Sequence, residues 1–288
     1  MEVHFMYEEI FEKIRNEAVK RNLKSSTADA YCNTWKHFMN CVGKTSLEEL
    51  TIQDVEDFFF EKRIRSIKPE TYNHYHSAIL FVYKRILKMR WEEDDIPRMK
   101  NDRYLPTVLT KGEIQLILDA TKNLKHKAML ATMYSAGLRV SELTHLHYSD
   151  ISRTHRHIHV RDSKSRTDRY TLLADRTLDL LTEYWFKCGK PMDILFPSSY
   201  TGGYLDKNSV NQFLKKSAKK AGIEKHVTTH CLRHSFASHL LESGCDIKYI
   251  QSLLGHNDPK STEVYLHVSD KTLLGIRSPF DDVEVEHG

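Results

Sequence analysis

The stretch TTHCLRHSFASHLL (Thr228–Leu241) places His230, Cys231 and His234 within five residues, with Arg233 among them. On a helix His230 and His234 are four apart and share a face, as do the paired histidines of a zinc-binding H-E-x-x-H motif. The residues between them are Cys231, Leu232 and Arg233, so the carboxylate base such a motif uses is missing, and a permanent cation beside the site would weaken metal binding. The alternative pairs His230 with Arg233, three apart on one face, where a guanidinium fork and an imidazole donor can grip the oxygens of a phosphate. Metal site and anion clamp both remain open on these residues alone.

Outward from this stretch the chain is helical in its patterning. Upstream, SSTADAYCNTWKHFMNCVG sets Tyr31, Trp35 and Phe38 at helical spacing behind a Ser/Thr start signal and stops at Gly43. SLEELTIQDVEDFFFEKRI and KPETYNHYHSAILFVYKRILKM supply further helices, the second opening on Pro69 in its first turn. WEEDDIPRMKNDRYLPTVL is charged, aperiodic and broken by Pro97 and Pro106, as an interdomain linker is. The domain boundary is therefore expected near Asn101, giving a helical domain over 1–100 and a second domain over 101–288. Thr110 reads as the N-cap of a helix burying Ile114, Ile117 and Leu118, and Gly137 as a helix break. HIHVRD and RYTLL flank the polar SKSRTD and predict a β-hairpin; from Leu173 the pattern is helical again, interrupted by FPSSYTGGYLDKNS. The fold class is mainly α with a small β-sheet.

At 288 residues with 40% hydrophobic content, the chain can bury two modest cores. Residues 1–100 hold 17 Lys/Arg against 17 Asp/Glu, so the net charge of +4 lies wholly in residues 101–288. There, Lys215–Lys220 (KKSAKK) and Arg161–Arg169 (RDSKSRTDR) are basic clusters, each read alone as a solvated face. The five cysteines are odd in number and never spaced C-x-x-C, which fits a reduced thiol set. With a charged N-terminus and no apolar run of ~18 residues, the expectation is a soluble cytoplasmic protein, nucleoid-associated if bacterial, with no membrane contact. His155, His157 and His159 alternate along one strand and read as its solvated or DNA-facing side.

Four stretches stand in order: AGLRVSELTHL with Arg139 and Glu142, SKSRTDR with Lys164, HCLRHSFASHLLESG with His230 and Arg233, and LLGHNDPKSTEVYLHV with His256 and Tyr265. Together they resemble the tyrosine recombinase (phage integrase) family over residues ~108–268, in simple members without an arm-binding domain. The resemblance implies a two-domain clamp, with a helical, SAM-like core-binding domain and an α+β catalytic domain ending in a tail helix over SDKTLLGIRSPF. It assigns Arg139, Lys164, His230, Arg233, His256 and Tyr265 to catalysis, Tyr265 as nucleophile and Lys164 as general acid, with Glu142 in support. It also favours the anion clamp over the metal site, with no metal and no cofactor.

Its implied partners are double-stranded DNA sites, three further copies in a homotetramer on DNA, and an accessory or partner recombinase. The implied activity is cleavage and rejoining through a 3′-phosphotyrosyl intermediate and a Holliday junction, as an integrase, transposase or resolvase. Candidate DNA contacts are Thr71, Tyr72, His74, Arg166, Lys215 and Lys219. The competing readings are type IB topoisomerase-like relaxation, a catalytically silent DNA-binding regulator, and a zinc hydrolase. His234, His239, Cys231 and Cys245 are expected to support packing, with Leu232, Phe236 and Leu240 as the buried stripe.

Overall fold

The computed structural model describes residues 2–44, 46–91, 96–100, 106–161, 168–190 and 192–255, with side chains from residue 8 onward. The chain divides into two units, Met1–Arg103 and Tyr104–Gly288.

Among the described residues the regular structure of the first unit is all helical: α1 (Glu2–Lys20), α2 (Ser25–Val42), α3 (Ile52–Ile64) and α4 (Pro69–Phe81), the last running into a π-helical turn over Val82–Leu87. Its core is aromatic. Trp35, Phe38, Phe58, Phe59, Tyr72 and Tyr83 are all buried, and many of their rings meet edge-on or tilted, as Phe38 and Phe58 do at 5.2 Å and 86°. Tyr31 is only half-buried, against Phe81 at 5.1 Å. Pro69 opens α4 as expected. The start of α2 is different from expectation: the N-cap is Lys24, with no side-chain cap bond, while Gly43 ends the helix at φ +73°.

The aperiodic stretch after α4 is not all linker. Trp91 and Ile96 are buried in the first unit's core, with Trp91 edge-on to His76 at 5.4 Å. The carbonyls of Pro97 and Met99 accept from Arg63 Nη2 and Asn73 Nδ2 at 2.9 and 2.8 Å. Burial of one indole and satisfaction of these carbonyls fix a segment that has no periodicity of its own.

The second unit contains α5 (Lys111–Ala120), α6 (Leu124–Ala136), the short α7 (Val140–Thr144), strands β1 (Ile151–Ser152), β2 (His157–Val160) and β3 (Arg169–Leu172), then α8 (Asp175–Lys187), α9 (Lys207–Lys220), α10 (Thr229–Glu242) and α11 (Ile247–Leu254). Thr110 caps α5 in a capping box with Glu113. The sheet is antiparallel in the order β1-β2-β3, so the expected hairpin is present and β1 extends it. Its register pairs Ile158 with Thr171 and Val160 with Arg169. These four residues are buried, whereas Tyr170 and Leu172 stay exposed and His157 and His159 pack on Tyr170 at 4.6 and 4.9 Å.

The core is built on α6 and α10, the latter burying Cys231, Leu232, Arg233, Ser235, Phe236, Ala237 and Ser238. Leu240 is only partly buried. All five cysteines are free. Among the described residues no helix is long and apolar enough to cross a membrane.

Candidate active site

The site begins where α6 stops. Gly137 takes a left-handed conformation, φ +61°, and turns the chain into Leu138 and Arg139. Only glycine fits here, because a Cβ would lie 2.4 and 2.6 Å from Phe236 Cδ1 and Cε1. Arg139 is then the N-cap of α7, and Glu142 reaches back to it. The Arg139 backbone N–H donates to Glu142 Oε2 at 2.8 Å, and Arg139 Nη1 donates to Oε1 at 2.8 Å.

Glu142 gathers more than its helical neighbour. From β3, Arg169 grips the carboxylate in a bidentate fork, Nη1 to Oε1 at 2.9 Å and Nη2 to Oε2 at 2.8 Å. From α10, Arg233 Nη1 stands 3.7 Å from Oε2. Three guanidinium groups thus surround one carboxylate. Burial alone would raise the Glu142 pKa, but the Arg169 hydrogen bonds and charge, the Arg139 N–H and the Arg233 charge outweigh it and hold the group down at about 2.

The same two buried arginines also reach the end of α11. Arg169 Nε donates to Leu253 O at 2.8 Å and Arg233 Nη2 to Leu254 O at 2.6 Å, while Arg233 Nη1 donates to Gly137 O at 2.6 Å. Carbonyls in the last turn of a helix have no partner within it and carry the negative end of its dipole, so cations seat well there. The turn closes at Gly255, φ +64°, where a Cβ would meet Arg169 Cδ at 2.9 Å.

Arg139 and Arg233 therefore come together on one carboxylate. Arg233 and Arg169 are almost wholly buried, while Arg139 keeps 18% of its side chain exposed. Beyond its one bond to Glu142 Oε1, the Arg139 guanidinium makes no further hydrogen bond among the described residues. His230 is exposed on the first turn of α10, one turn before His234, with the rings 6.3 Å apart. Burial, and then the charges of His230 and Arg233, lower the His234 pKa to about 4, so that ring is a neutral packing element. Among the described residues no three His, Cys, Asp or Glu side chains are grouped to hold a metal ion. Lys164, Arg166, His256, Tyr265 and the tail segment SDKTLLGIRSPF lie outside the described residues.

Two expectations are corrected. Tyr72 is fully buried, its ring 4.9 Å from Phe59 and its hydroxyl accepting from Arg63 Nε at 3.2 Å; it is core, not a surface DNA contact. Arg169 does not belong to a solvated basic cluster, because its guanidinium is buried on Glu142. The other DNA-contact candidates among the described residues are exposed: Thr71 and His74 on α4, and Lys215 and Lys219 on α9. His74 Nε2 also meets Thr34 Oγ1 at 3.2 Å.

The chain matches the phage integrase family over residues 107–272 and the phage integrase N-terminal SAM-like domain over residues 6–93. It is 32% identical to a putative integrase/recombinase, y4qK, of Sinorhizobium fredii, over 91% of this chain and 85% of that protein. It is also 32% identical to the tyrosine recombinase XerD of Caulobacter vibrioides, over 90% of this chain and 91% of that one. Its fold is similar to that of a lambda integrase solved as a tetramer on a Holliday junction, with TM-score 0.72 and 17% identity, over 90% of this chain and 76% of that chain. The chain belongs to the phage integrase family. It is a tyrosine recombinase, an enzyme of site-specific DNA recombination.

Proposed function

We propose that residues 1–100 form the core-binding domain and residues 101–288 the catalytic domain, and that Arg139, Lys164, His230, Arg233, His256 and Tyr265 carry the reaction with Glu142 in support. The carrying observation is the charge balance around Glu142: Arg139, Arg169 and Arg233 bring three positive charges to one carboxylate. A largely buried excess of two positive charges is costly until an anion joins it, and a DNA phosphodiester supplies that anion.

Attack on the phosphorus spreads negative charge over the non-bridging oxygens. Arg139 and Arg233 hold those oxygens, with His230 and His256 as further donors, each such preorganised donor typically contributing about 3–4 kcal/mol. The Tyr265 oxygen forms a bond to phosphorus as the bond to the 5′-oxygen breaks. The tyrosine proton passes to a neighbouring base, and Lys164 donates a proton to the departing 5′-oxygen. The 3′-phosphotyrosyl bond conserves the phosphodiester until another 5′-hydroxyl reverses the step. Four copies join two duplex sites and exchange strands in two rounds through a Holliday junction. The biological setting is cytoplasmic integration, transposition or resolution, with an accessory or partner recombinase setting direction. Thr71, His74, Arg166, Lys215 and Lys219 contact DNA, so binding weakens steeply with salt.

The test is to incubate the protein with a pool of randomised duplexes, denature it, and sequence the DNA that remains attached. An adduct in the natural protein and none in Tyr265→Phe, with duplex binding kept, is the expected result. An adduct that persists in Tyr265→Phe overturns the assignment.

A further inference from the structure

Arg169 is a buried arginine that meets the catalytic machinery without being one of its assigned members. It donates to three acceptor atoms on two different segments. Its terminal nitrogens take both oxygens of Glu142, and its Nε takes the carbonyl of Leu253. Glu142 orients Arg139 through the α7 N-cap. Leu253 and Leu254 end α11, and Leu254 O receives Arg233. His256, in sequence, directly follows Gly255, and Lys164 lies in the segment joining β2 to β3, the strand that Arg169 begins.

We propose that Arg169 is a positioning residue for strand cleavage: it holds the Glu142 carboxylate and the C-terminal turn of α11 in one arrangement, so that Arg139 and Arg233 meet the scissile phosphate together. The proposal rests on the recombinase reading above. Its physical core is a competition. A carboxylate with only Arg139 and Arg233 beside it would draw both guanidinium groups toward itself, and every donor spent on Glu142 is lost to the phosphate. Arg169, itself almost wholly buried, satisfies both carboxylate oxygens and leaves Arg139 with a single side-chain bond to Oε1.

The charged groups that face Glu142 among the described residues are Arg139 on its own helix, Arg169 on β3 and Arg233 on α10, with the Gly137, Leu253 and Leu254 carbonyls around the arginines. Removing Arg169 therefore takes away the strongest stabilisation of the Glu142 anion, and burial then raises its pKa above that in the natural protein. Below that raised pKa the carboxyl is protonated, Arg139 loses its anchor, and cleavage fails on the acid side.

The experiment uses the full chain and the duplex recovered from the adduct trap, and measures adduct formation and duplex binding between pH 5.5 and 9. Arg169→Met should form adduct on the order of 10²-fold more slowly at pH 7 with duplex affinity unchanged, as for a misplaced reacting group. Relative to the natural protein it should lose further rate as pH falls. Arg169→Met combined with Glu142→Gln should lack that acid limb, because nothing is left there to titrate. Arg169→Lys, which keeps the charge but not the fork, should retain a flat profile at an intermediate rate.

An Arg169→Met protein that cleaves at the natural rate and pH profile overturns the proposal. So does one whose loss is the same at every pH, or whose duplex affinity falls in step with its rate. Thermal unfolding of the same variants across the same pH range reads the Glu142 ionisation without DNA, and an identical pH dependence in Arg169→Met and the natural protein also overturns it. A natural protein that forms no adduct sinks the recombinase reading itself, and the positioning role with it.

Discussion

Replacing Gly137 by alanine tests how tightly the turn into Arg139 is packed. The added Cβ meets Phe236 Cδ1 at 2.4 Å, Cε1 at 2.6 Å and Leu254 Cδ2 at 3.0 Å, and the residue must keep φ at +61°. Left-handed backbone costs a non-glycine residue about 1–2 kcal/mol. Forcing a methyl into a filled core adds about 1–3 kcal/mol. Together they predict a loss of about 2–5 kcal/mol, less the few tenths that alanine returns by restricting the unfolded chain. Gly222→Ala separates the parts, since Gly222 lies in the same unit at φ +70° with nothing within 4 Å of its Cβ. It should cost only the backbone share. Urea unfolding followed by circular dichroism gives both values, and their difference is the clash. Gly137→Ala combined with Phe236→Leu, which removes ring atoms from the point of contact, should recover part of it. Equal losses in Gly137→Ala and Gly222→Ala would refute the reasoning.

Glu142→Ala leaves Arg169 and Arg233 buried beside no carboxylate and should destabilise the second unit by about 3–5 kcal/mol in the same assay. Acid should unfold the protein in two overlapping stages. His234 is held at about 4 against an ordinary 6.5, so its contribution is whole above pH 6.5 and is lost as pH falls toward 4. Glu142 is held at about 2 against 4.5, so its contribution is whole above pH 4.5 and is lost toward pH 2, and is worth roughly 3 kcal/mol. Melting temperatures across pH should show the upper stage vanish in His234→Gln while the lower stage remains. Tyr72→Phe removes an acceptor for Arg63 inside the first unit, and should cost about 1 kcal/mol without changing DNA affinity in a binding titration.

The pieces of this protein that sequence displays best are those held by neighbours in the chain. Gly137 as a helix break, Thr110 as a cap, and the i, i+3 pair of Arg139 and Glu142 are local, and each is found where spacing puts it. Arg169 was hidden for the opposite reason. Whether a charged side chain is buried depends on its partner, and Glu142 lies 27 residues upstream on another element. One signal was available: in RYTLL the apolar Tyr170 and Leu172 share a face with His157 and His159, which leaves Arg169 and Thr171 to face inward with Ile158 and Val160. Trp91 and Ile96 were obscured in the same way, since an aperiodic segment gives no sign of the core it closes over.

The glycine of L-L-G-H takes on a different character once its surroundings are known. Gly255 has no room for a methyl group because the stem of Arg169 already lies there, 2.9 Å from where that methyl would sit. The short signature is thus a mould, its empty position shaped by a side chain that the gene encodes far upstream. A larger residue at 255 carries the left-handed backbone cost in any case, and shortening residue 169 should remove only the added clash, so the two substitutions together ought to cost less than the sum of each alone. An engineer who grafts this loop onto another scaffold must bring the arginine with it.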